Sequence, residues 1–144
     1  METIYQSKFS KHEYDSTTKI IFTDWFKETT NMTTDDFKNE MQEWLNAFRK
    51  CKPLYLYDRC VDFNYTITPD EQIWMANLLN AEWIKLGLKK YAHIVPAEMI
   101  TELSVEQLFD EFFQMKLENQ YPIIDFADRE KALEWLMEND EIKN

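Results

Sequence analysis

Hydrophobic positions in this chain repeat with two periods, about two in short runs and about 3.6 in longer ones. The first run, Ile4 to Tyr14, mixes β-forming with polar residues. A turn cluster, Asp15-Ser16-Thr17-Thr18, separates it from Ile20-Ile21-Phe22-Thr23-Asp24-Trp25-Phe26. Two such runs about a polar turn predict an antiparallel hairpin. From residue 34 the helical period takes over. Phe37, Met41, Trp44, Leu45 and Phe48 make one apolar stripe, and Thr34 is its expected cap. Asp35 and Asp36 lie at the positive end of the helix dipole, and Arg49, Lys50 and Lys52 at the negative end. Pro53 closes this helix, and Leu54-Tyr55-Leu56-Tyr57 predicts a short buried strand.

The next helix announces its start clearly. Thr68 suits the N-cap, Pro69 the first helical position, and Glu71 completes a capping box. This helix runs to Gly87, which stands where a C-cap belongs. Lys90 to Val95 reads as a strand that Pro96 ends. Ser104-Val105-Glu106-Gln107 is a second capping box, opening a helix with Val105, Leu108, Phe109 and Phe112 on one face. Pro122-Ile123-Ile124-Asp125-Phe126 is the last strand. Asp128 caps a final helix carrying Ala132, Leu133, Trp135 and Leu136. The order ββαβαβαβα predicts an α/β fold, a mixed five-stranded sheet with four helices. It reads as one domain over residues 1–144, with its core at about 4–137 and a frayed tail.

The helix from 68 to 87 has two apolar sides. Trp74, Leu78, Ala81 and Leu88 project to one, and Met75, Leu79, Trp83 and Leu86 to nearly the opposite one. One side is enough to cover a sheet. The other packs on a neighbouring helix or meets a partner, and Trp and Met are enriched at the centres of interfaces. Met75, Leu79, Trp83 and Leu86 are therefore candidates for a homodimer or partner surface.

Composition narrows the classes. With 16 basic and 27 acidic residues the net charge is −11, which opposes nucleic-acid backbones and anionic membrane surfaces. A single glycine excludes a Gly-rich phosphate loop or a dinucleotide fingerprint, which need several. Cys51 and Cys60 have no zinc or redox spacing, so they read as free thiols in a reducing compartment. The polar start from Met1 has no apolar signal segment, and no run reaches the length of a membrane span. The expectation is a cytoplasmic protein.

In open α/β sheets ligands bind beyond the carboxyl ends of the strands. Here those ends carry Asp58, Arg59, Cys60, Pro96, Glu98, Asp125 and Asp128. For Asp58 and Arg59 an internal ion pair or turn bond is the plainer reading. Thr66 and Thr68 offer hydroxyls to a kinase, although Thr68 has the stronger role as N-cap. His12 and His93 lie far apart in sequence and read as core or edge histidines, neither a metal site nor a catalytic pair. No catalytic residue, cofactor or metal is expected.

Several phrases carry a resemblance. They are Tyr57-Asp58-Arg59; Thr68-Pro69-Asp70-Glu71-Gln72-Ile73-Trp74; Gly87-Leu88-Lys89-Lys90-Tyr91-Ala92-His93-Ile94-Val95-Pro96; Leu103-Ser104-Val105-Glu106-Gln107; and the stretch from Phe126 to Leu136. In this order, over roughly residues 20–137, they resemble the SpoIIAA-like proteins, relatives of the STAS domains. The resemblance implies a small mixed-sheet domain, usually non-enzymatic, that binds a protein or a small ligand. In the anti-sigma-factor antagonists of that group a serine after the third strand is phosphorylated. The corresponding stretch here, Arg59 to Thr68, has no serine. Two functions follow as expectations. One is a regulatory module acting through a protein partner or a second copy of itself. The other is a carrier of a small apolar, lipid-like ligand, in a pocket that Tyr55, Tyr57, Phe63, Trp83 and Phe113 would line.

Overall fold

The computed structural model describes residues 1–100 and 121–138. It is an α/β domain built on one mixed sheet of six strands in sequence order. The strands are β1 (Glu2–Gln6), β2 (Ser10–Asp15), β3 (Ile20–Trp25), β4 (Tyr55–Arg59), β5 (Lys90–Ile94) and β6 (Ile123–Phe126). The first three pair antiparallel and the last four pair parallel, with β3 shared. The helices among the described residues are α1 (Thr34–Cys51), α2 (Pro69–Lys85), a single turn α3 (Ala97–Ile100) and α4 (Arg129–Leu136). A short 3-10 helix, Lys27–Asn31, joins β3 to α1. The helix expected from Ser104 lies outside the described residues. None of the described helices is long and apolar enough to cross a membrane.

The sheet has six strands rather than five because the run from Ile4 to Tyr14 folds back on itself. Ser7 Oγ accepts the backbone N–H groups of Phe9 at 3.0 Å and Ser10 at 3.2 Å, while Ser7 N–H donates to Ser10 O at 2.9 Å. A serine hydroxyl here organises a turn that usually depends on Gly, Asn or Pro. The cap of α1 is Thr33 rather than Thr34. Its Oγ1 accepts from Asp36 N–H at 3.1 Å, and Asp36 returns the bond to Thr33 N–H at 3.0 Å.

Neighbouring strand residues divide between two cores, as a pleated sheet requires. Ile21, Leu56 and Tyr91 join Phe37, Trp44 and Phe48 of α1 and Leu79 and Trp83 of α2 in the larger core. Ile20, Tyr57, Ala92 and Ile94 meet Ala132 and Leu136 of α4 on the opposite face. Lys90, only 3% exposed, sends Nζ to the carbonyls of Trp135 at 2.8 Å and Glu138 at 3.1 Å. A cation thus sits on carbonyls at and just beyond the end of α4, where the helix dipole favours it.

The two apolar sides of α2 are now assigned. Leu79 and Trp83 turn to the sheet and are 3% and 1% exposed. Trp74, on the other side, reaches α1, with its ring 6.3 Å from Phe37. The side expected to meet a partner is therefore the side that builds the core, and Met75 and Leu86 are half-buried against that same core.

Candidate functional site

One residue from each strand forms a polar row across the whole sheet. Register pairs Tyr5 with His12, His12 with Thr23, Thr23 with Asp58, Asp58 with His93, and His93 with Asp125. Residues in register on adjacent strands point to the same face, and here that is the face under α1 and α2. Most members are bonded to each other or to indoles. Trp44 Nε1 donates to Thr23 Oγ1 at 2.8 Å, and His12 Nδ1 lies 3.0 Å from the same hydroxyl. His93 Nδ1 lies 3.0 Å from Asp125 Oδ1.

Asp58 is the centre of the row. It is 2% exposed. Oδ1 accepts from Trp25 Nε1 at 2.8 Å and Oδ2 from Tyr91 Oη at 2.5 Å. Burial raises its pKa, opposed by the nearby His93 and by the Tyr91 and Trp25 bonds. Cys60, the residue that follows β4, is tied back by its N–H to Ile94 O at 2.8 Å. Burial, and then the neighbouring Asp58 carboxyl, push its thiol well above the ordinary range. Tyr91 is raised for the same two reasons. Asp58, Cys60 and His93 each offer one ligand atom, and the three atoms lie within 4.8 Å of one another.

Asp58, Cys60, Tyr91 and His93 line a cavity of about 420 Å³ between the sheet and the α1–α2 layer. The rest of the wall is largely apolar, including Trp44, Phe63, Met75, Leu79 and Trp83, with no lysine or arginine among the described residues that line it. The loop after β4 contributes Phe63, Tyr65 and Ile67. It is held by Asn64 N–H on Thr29 Oγ1 at 2.9 Å, by the stacking of Tyr65 on Phe37 at 5.0 Å, and by the edge contact of Phe63 with Trp25 at 5.7 Å.

The structure brings together only part of the crevice read from sequence. Asp58 and Cys60 face the cavity. Arg59 points away, pairing with Asp24 at 2.9 Å and Asp62 at 3.0 Å rather than with Asp58. Thr66 is exposed, and Thr68 is occupied as the N-cap of α2, accepting from Glu71 N–H at 3.2 Å. Pro96 is half-buried outside the cavity wall, although Val95 and Met99 on either side line it. Of the five residues expected to line a pocket, Phe63 and Trp83 do. Tyr57 packs into the opposite core and Tyr55 against that same face, because odd-numbered positions of β4 point that way. Phe113 lies outside the described residues. His93 was expected to be a core or edge histidine. It is buried, yet it also lines the cavity beside Asp58 and Cys60, with Asp125 as its partner. The signal that finds this group is parallel register: Asp58, His93 and Asp125 occupy matching positions near the ends of three consecutive strands.

Compared with known proteins, the chain matches no family model, and neither a curated protein nor a solved structure is similar to it.

Proposed function

We propose that this protein is a binding module for a small molecule with an apolar body and one neutral polar group. The cavity of about 420 Å³ carries this reading, because its size falls in the range of about 300–1,000 Å³ typical of ligand sites. Its wall is largely aromatic and aliphatic, and Asp58, Cys60 and His93 stand together in it, the arrangement that orients an amphipathic guest. The polar group is read as neutral rather than anionic because the described residues that line the cavity include no lysine or arginine to match an anion. A partner-protein surface on α2 has less support, since Leu79 and Trp83 are spent on the core. In this reading the protein is a regulatory module of SpoIIAA-like type, and the bound molecule is the signal and is not transformed.

Nile red, a neutral apolar fluorophore, tests this directly. The folded protein should bind it saturably at one site, with decanol displacing it at lower concentration than decanoate. Met75→Trp, which places bulk in the cavity, should abolish binding while the far-ultraviolet circular dichroism is kept. Absence of saturable binding to the native protein, or unchanged affinity in Met75→Trp, would reject the reading.

A further inference from the structure

We propose that Asp58, Cys60 and His93 form a binding site for a divalent transition-metal ion, zinc by the chemistry of the donors, with its remaining coordination position turned to the cavity. The donors are one carboxylate, one thiol and one imidazole, with ligand atoms within 4.8 Å of one another. Mixed sulfur, nitrogen and oxygen donors suit zinc, whereas calcium and magnesium take oxygen. Zinc bonds of about 2.0–2.3 Å in tetrahedral geometry place ligand atoms about 3.3–3.5 Å apart. The three groups are therefore within about 1.5 Å of closing on one ion.

Their supports are those a metal site needs. His93 Nδ1 lies 3.0 Å from Asp125 Oδ1, so a carboxylate fixes the ring, as it does behind metal-binding histidines. Asp58 is held by Trp25 and Tyr91, and each of its oxygens keeps a second lone pair beside those bonds. Two of the ligands, Asp58 and His93, are register partners on adjacent strands, and Cys60 is fixed by its backbone bond to Ile94. Cys60 binds as the thiolate, and its proton passes to solvent. Three protein ligands with one open position match zinc sites that take an exogenous ligand rather than closed structural ones. That position lies where the polar group of a cavity guest would sit. Metal binding itself does not depend on such a guest, so the ion alone serves as the probe.

The test uses the full chain, stripped with a chelator and titrated with Zn²⁺ against a chromogenic competitor, with Co²⁺ as the spectroscopic probe. One ion per chain is expected, and the cobalt form should show a thiolate-to-metal charge-transfer band with tetrahedral d–d bands. Asp125→Asn, which removes the charge of the carboxyl held on the ligand His93, should weaken zinc binding about 10–100-fold. Cys60→Ser and His93→Gln should weaken it further, and Cys60→Ser should remove the charge-transfer band. Cys51→Ser should change neither. Folded wild-type protein that takes up no stoichiometric ion, a cobalt spectrum without the thiolate band, or Cys60→Ser binding zinc as tightly as wild type would each overturn the proposal.

Discussion

The indole N–H of Trp25 donates to Asp58 Oδ1 at 2.8 Å from two residues beyond Thr23, the register partner of Asp58 on β3. Tyr91 reaches the other oxygen from β5, two residues before His93. The buried carboxyl is thus braced diagonally from both neighbouring strands. Trp44 makes the comparable bond to a neutral acceptor, the Thr23 hydroxyl. Bonds to charged acceptors contribute about 1.5–3 kcal/mol and bonds to neutral ones about 0.5–1.5 kcal/mol. Trp25→Phe and Trp44→Phe remove the same atoms, so their difference isolates the acceptor. With the carboxyl ionised, Trp25→Phe should cost about 1–2 kcal/mol more in urea denaturation. Equal losses would mean that Asp58 does not depend on the indole.

His12 makes the stability of the domain sensitive to acid. It is fully buried among the rings of Tyr5, Trp25 and Trp44, and burial lowers its pKa from 6.5 to about 3. A value depressed by folding contributes stability that is complete above 6.5 and is lost as pH falls toward 3. The slope is about 1.4 kcal/mol per pH unit. Between pH 6.5 and about pH 5 this one group should remove about 2 kcal/mol. His12→Phe cannot titrate, so wild type should lose about that much relative to the variant over the same interval. Urea midpoints measured at both pH values decide it. A constant difference would show that folding leaves the His12 pKa in place.

How far the sequence could be read follows from how local each signal is. The unit β4–α2–β5 was legible because a capping box, a proline at the first helical position and a C-terminal glycine all lie within the helix they bound. The β1–β2 turn was not, since Ser7 makes it with a side-chain bond that composition does not announce. Helical period showed that α2 has two apolar sides but not which one faces the sheet. The cluster at the cavity was hidden for a similar reason. Asp58 and Cys60 could be placed at a strand end, but His93 joins them only once β4 and β5 are known to be neighbours in this register. Parallel pairing brings together residues more than thirty positions apart, and no window along the chain contains them.

The cap of α2 should behave as a local device. Thr68 Oγ1 accepts from Glu71 N–H at 3.2 Å, and Glu71 Oε1 accepts from Thr68 N–H at 2.9 Å. Thr68→Ala should cost about 1 kcal/mol, the usual loss of an N-cap, and Thr68→Asp should recover most of it because an aspartate caps equally well at the positive helix end. Thermal unfolding of the three proteins checks this. A stable Thr68→Ala protein would show that the cavity loop, and not the cap, fixes the start of α2.

Gly87 and Lys52 should respond in opposite directions to substitution, because both occupy the left-handed region and only one is glycine. Gly87, at φ +101°, closes α2: its N–H donates to Ile84 O at 3.0 Å, and Leu88 N–H donates to Trp83 O at 3.0 Å. This is the bond pattern of a Schellman cap. A Cβ at Gly87 would come no nearer than 4.0 Å to Leu54 Cδ2, so Gly87→Ala meets no steric obstacle and its cost is that of the backbone alone, about 1–2 kcal/mol. Lys52 ends α1 at φ 51°, with its N–H on Phe48 O at 2.7 Å, and bears that backbone cost already. Lys52→Gly relieves it but loosens the unfolded chain by about 0.5–1 kcal/mol. The net expectation is stabilisation of up to about 1 kcal/mol. Paired urea titrations give both signs at once. Destabilisation by Lys52→Gly would mean that the lysine side chain, rather than its backbone, holds the end of α1.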